Sequence, residues 1–81
     1  MSNGLKQDIS LGPTLKELRK KAGLTQRDAA ARLELLGIDV SEDIIAKMEQ
    51  GRYSIRLSVL VALKQIYGVD SFDVFFKNLQ S

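Results

Sequence analysis

The chain has 81 residues, 44% of them hydrophobic, with no cysteine, no histidine and a net charge of +2. A chain of this length forms one small domain and hides only ~60–65% of its unfolded surface, while the apolar fraction argues for a packed core rather than disorder. Disulfides, the usual zinc sites and catalysis by His or Cys are excluded by composition.

Residues 1–12 read as a polar N-terminal arm, partly mobile, with Leu5, Ile9 and Leu11 as apolar anchors and Lys6 as its cation. Pro13 suits the first turn of a helix whose buried side is Leu15, Leu18 and Ala22 and which Gly23 ends. Thr25 is a good helix N-cap, and Asp28, three residues on, comes close to a capping box. Gln26 to Leu35 contains no Gly or Pro and carries three consecutive alanines, the best helix former. Gly37 then turns the chain out of that helix.

Ser41 opens the next helix, with Glu42 and Asp43 in the first turn, where the helix dipole favours acids. Ile45 and Met48 share its inner face, and Gly51 closes it. A loop carrying Arg52, Tyr53 and Arg56 leads to Leu57–Tyr67, apolar around so much of its circumference that it belongs at the centre of the core. After Gly68, Asp70 or Ser71 caps a last helix whose Phe72, Val74, Phe75, Phe76 and Leu79 are too many for one inward side.

Little here suits catalysis. Glu42, Asp43 and Glu49 form the acidic cluster, but Glu42 and Glu49 share a helix side while Asp43 points elsewhere. The six glycines are spaced as helix punctuation, not as a phosphate loop. Caps and solvated acids account for these groups, so no enzyme activity, metal or cofactor is expected. No apolar run approaches the ~18 residues of a membrane span, and no charged-then-apolar leader is present; the expected compartment is the cytoplasm. Residues 1–40 hold seven Lys/Arg against five Asp/Glu, so the basic excess lies in the first half. Such a bias fits a phosphate-facing surface, although a solvated helix face is the simpler account of charge alone.

Leu15-x-x-Leu18-Arg19, Gly23-Leu24-Thr25-Gln26, Val40-Ser41 with Ile45, Glu49-x-Gly51 and Tyr67-Gly68-Val69 follow one another at consistent spacing. The ordered set, spanning about Leu15 to Phe76, resembles the phage-repressor (Cro/XRE) helix-turn-helix family. The resemblance implies an all-α, five-helix, lambda-repressor-like DNA-binding domain over residues 13–81, with the helix from Ser41 as the recognition helix. It also implies an ion pair between Arg19 and Glu49, tying the first and third helices together, and a phosphate clamp at Gln26. Glu34 to Asp39 adds several residues to the common spacing, which a longer second helix or turn would absorb.

On that reading, Gln26 and Arg27 at one helix start and Gln50, Arg52, Tyr53 and Arg56 beyond the other are the phosphate candidates. For Arg52 and Tyr53 an ordinary exposed loop is an equal reading. The base-reading candidates are Ser41, which opens the helix, with Asp43 and Lys47, which helical phase points away from Ile45 and Met48, and Glu42 and Ile44 on the flanks. Two acids at the leading turn face a polyanion, so they either weaken binding or accept hydrogen bonds from cytosine N4. The expected partners are an operator in double-stranded DNA and a second copy of the chain, joined through Phe72, Phe75, Phe76 and Leu79. The alternative is a protein-interaction module that keeps the fold without the DNA contacts.

Overall fold

A computed structural model describes the backbone of residues 4–5 and 11–79 and the side chains of 11–75. Four α-helices follow one another: α1 (Gly12–Lys21), α2 (Gln26–Leu35), α3 (Glu42–Glu49) and α4 (Leu57–Ile66). A short ladder joins Gly4–Leu5 (β1) to Ile55–Arg56 (β2), antiparallel, with Gly4 opposite Arg56 and Leu5 opposite Ile55. Two residues of the expected arm are thus paired, and Leu11 is buried in the core. Ile9 and the mobility expected of the rest of the arm lie outside the described residues.

Local chemistry sets the helix ends. Thr25 Oγ1 accepts the Asp28 backbone N–H at 3.0 Å, and Asp28 Oδ2 accepts the Thr25 N–H at 2.9 Å, completing a reciprocal capping box. These bonds hold the Asp28 carboxyl below its usual range. At the other end of α2, Gly37 takes φ +82°, its N–H donates to Glu34 O, and the Ile38 N–H donates to Leu33 O. That six-to-one and five-to-two closure needs a left-handed residue, which glycine supplies without steric cost. The extra residues between α2 and α3 therefore lie in this turn and the stretch after it, and α2 ends at Leu35. α1 closes the same way at Gly23, and Ala22, expected on the buried side, is the exposed C-cap.

The core collects Leu15 and Leu18 from α1, Ala29 and Leu33 from α2, Ile45 and Met48 from α3, and four residues of α4. Fully burying a side chain such as Leu33 is worth about 1.5–3 kcal/mol. α4 packs Val59, Leu60, Ala62 and Leu63 inward, yet Leu57 and Val61 remain 56% and 50% exposed. These two lie one turn apart on the outer side, so α4 carries more apolar surface than the core accepts.

The last element is a 3-10 helix, Phe72–Leu79, where the sequence suggested an α-helix. Ser71 Oγ accepts the Asp73 N–H at 3.1 Å and starts it. In a three-residue repeat, side chains at i and i+3 stand over one another, and the rings of Phe72 and Phe75 lie 6.2 Å apart. Phe75 is 0% exposed, so it is a core residue and not part of an outward dimer face. Phe72 is 38% exposed and sits under Lys64 Nζ, 5.5 Å from the ring centroid.

Candidate nucleic-acid interface

The start of α3 is fixed by Ser41, whose Oγ accepts the Ile44 N–H at 3.2 Å. Ile45, Met48 and Glu49 are its buried side. Ser41, Glu42, Asp43 and Gln50 are exposed, while Ile44, Ala46 and Lys47 are half-buried. Lys47 Nζ lies 3.1 Å from Asp43 Oδ2, an acid-before-base pair one turn apart. Such exposed pairs are worth only ~0.3–0.5 kcal/mol, but this one offsets part of the negative charge at the front of the helix.

Behind α3, Arg19 of α1 grips its last residue. Arg19 Nε donates to Glu49 Oε2 at 2.7 Å and Nη2 donates to Oε1 at 3.0 Å, with side chains only 8% and 4% exposed. The remaining amine, Nη1, donates to Leu24 O at 2.8 Å, so one guanidinium ties together α1, the turn before α2 and the end of α3. The hydrogen bonds that Arg19 donates to Glu49 raise its pKa against the lowering effect of burial. A bidentate pair of this kind fixes orientation as well as distance.

Two further groups bear on this pair, and sequence reasoning missed both. Gln26 Nε2 donates to Glu49 Oε1 at 3.1 Å. Tyr67 is buried close enough to feel both charges; burial pushes its phenol pKa up, Glu49 adds to the rise, and Arg19 opposes it. Tyr67 stood in the sequence only as part of a motif, and nothing local pointed Gln26 at Glu49.

Of the other phosphate candidates, Arg27 is exposed in the first turn of α2. Past α3, Arg52 Nη1 donates to Gln50 Oε1 at 3.3 Å, so these two act together at the surface. Ile44, Tyr53 and Arg56 line a cleft of about 430 Å³ between α3, residues 37–40 and the loop before α4. The structure thus places Gln26, Gln50 and Arg52 around the C-terminal end of α3. Of the dimer candidates it leaves Phe72 at the surface, and the side chains of Phe76 and Leu79 lie outside those described.

Among the described residues no acidic cluster could hold a metal ion, and no helix is long and apolar enough to cross a membrane.

Two helices joined by a turn, the second with a solvent-facing polar side and a buried brace behind it, define a helix-turn-helix domain. A family model described as a helix-turn-helix domain matches residues 10–73, and the chain belongs to that family. It is an all-α module of a DNA-binding class. No curated protein and no solved structure matches the chain significantly.

Proposed function

We propose that the protein is a sequence-specific, DNA-binding transcription regulator of the XRE type, acting in the cytoplasm as a homodimer on a two-fold-related operator. Residues 13–81 are its five-helix, lambda-repressor-like domain, with the 3-10 segment as the fifth helix, and residues 1–12 are its arm. The observation that carries the reading is the mounting of α3: its polar side faces solvent while Arg19 and Gln26 hold its last residue from behind.

In this reading α3 enters the major groove. Gln26 and Arg27 meet phosphates on one side, and Gln50, Arg52, Tyr53 and Arg56 meet them on the other. Ser41, Glu42, Asp43, Ile44 and Lys47 lie nearest the base edges; Glu42 accepts from cytosine N4 and Ile44 touches a thymine methyl. Phe72, with Phe76 and Leu79, supplies the contact between copies. Selection of bound sequences from random duplexes tests this directly, a recovered two-fold-related site supporting it and an unenriched pool opposing it.

A second reading is favoured by the exposure of Glu42 and Asp43 at the leading turn. An acidic front suits a basic protein partner better than a polyanion. Duplex binding that weakens with salt separates the two.

A further inference from the structure

Glu49 does more than pair with Arg19. Its Oε1 accepts from both Arg19 Nη2 and Gln26 Nε2, at 3.0 and 3.1 Å, while Oε2 accepts Arg19 Nε. Gln26 therefore gives one amide N–H to a carboxylate that a bidentate arginine already holds still. A carboxamide is planar and carries two N–H donors, so fixing one fixes the direction of the other. Gln26 is also the first residue of α2, where backbone N–H groups lack intrahelical acceptors and the dipole favours an anion. Thr25 Oγ1, the local cap, is already used by the Asp28 N–H. Arg19 neutralises Glu49, so the carboxylate can orient Gln26 without presenting a net charge to a nearby phosphate.

We infer that Glu49 is a positioning residue for the phosphate contact of Gln26: the last residue of the recognition helix orders the anchor at the start of the preceding one. The inference rests on the DNA-binding reading above. A glutamine free in solution loses rotamer entropy when it binds; Gln26 has lost it before DNA arrives, and a tilt of α3 that moves Glu49 also moves the anchor. Groove entry and phosphate contact are thereby coupled.

The test uses the full chain and a duplex recovered by selection, comparing the parent with Gln26→Ala, Glu49→Gln and the double variant. Gln26→Ala weakens binding about tenfold, and Glu49→Gln about three- to tenfold. In the Gln26→Ala background, Glu49→Gln adds less than about twofold, because the group it positions is gone. Gln26 is neutral, so the slope of log affinity against log salt stays unchanged in Gln26→Ala. A general loss of the α3 pose would instead flatten that slope by withdrawing Arg27 and Arg52.

Because Glu49→Gln also strips Arg19 of its charge partner, the parent supplies a second readout that needs no variant. Nitrogen relaxation of the Gln26 side-chain amide in DNA-free protein should approach the rigid value of about 0.85. A Gln26 amide as mobile as that of exposed Gln65, or additive effects on affinity, overturns the inference. A parent that binds no duplex overturns the DNA-binding reading itself, and the phosphate role of Gln26 with it, even if the amide is ordered.

Discussion

The backbone of Gly12 lies directly against the carbonyl of Glu49, bringing the first residue of α1 to the last residue of α3. A Cβ built at Gly12 would collide with the Glu49 carbonyl and come within 2.9 Å of Met48 O. Both obstacles are main chain, which cannot swing aside as a side chain can. The end of α3 is thus set from two directions, by this close approach and by Arg19 one to two turns further along α1.

Gly12→Ala therefore destabilises the fold, although alanine is the better helix former by roughly 0.5–1 kcal/mol. Overpacking against backbone costs about 1–3 kcal/mol, or about 4–8 °C in melting temperature per kcal/mol in a domain of this size. Thermal unfolding reads it, and a raised or unchanged melting temperature would show that α1 and α3 are not in such close contact.

Arg19 and Glu49 act as a unit. Removing one partner strands the other charge in a site nearly closed to water, at a cost of about 3–5 kcal/mol. In a double-alanine cycle the two losses are coupled by about 1–3 kcal/mol. Denaturant titration of the four proteins measures this; additivity is the contrary outcome.

Tyr67 gives the fold an alkaline limit. Its folded pKa is raised above the ordinary value of about 10, so the folded state keeps a proton that the unfolded chain releases. The associated stability is intact below pH ~10 and is lost as pH rises from there towards the folded pKa. Unfolding free energies at pH 9 and pH 11 should fall apart in the parent, and Tyr67→Phe should narrow the gap. An equal alkaline loss in the variant would assign the effect elsewhere.

The two leading acids differ in their surroundings, and their variants should differ too. Asp43→Asn removes a negative charge and releases Lys47, so it tightens binding to all duplexes, most at low salt. Glu42→Gln instead changes discrimination at a particular base pair by about 1–3 kcal/mol. Affinities for cognate and scrambled duplexes at two salt concentrations distinguish these effects. Uniform tightening by Glu42→Gln would remove that residue from base reading.

The helices were legible because their ends are local events. Thr25 with Asp28, Ser41 with Ile44, and the glycines after α1 and α2 each act within a few residues, so chain order reveals them. The outward placement of Leu57 and Val61 was not legible, since hydrophobicity does not state which side meets a partner. Nor was the split between Phe72 and Phe75, which share one side of the 3-10 helix yet differ in burial because of what the rest of the fold packs over each. At the site, the motif carried the idea of an Arg19–Glu49 pair, but the contacts of Glu49 with Gln26 and Gly12 arise from how three helices cross. No residue pattern within any one helix encodes them.

The central claim is that α3 and its flanking cations meet a DNA duplex. Fluorescence anisotropy of a labelled duplex, titrated with the full chain at 50 and 200 mM salt, tests it most directly. If Arg27, Arg52 and Arg56 of two protomers each neutralise a phosphate, the six contacts predict a loss of affinity of about 10³-fold across that range. Arg52→Ala should flatten the salt slope by about one unit per protomer. Duplex binding that is absent, or that stays constant between the two salts, would contradict the account.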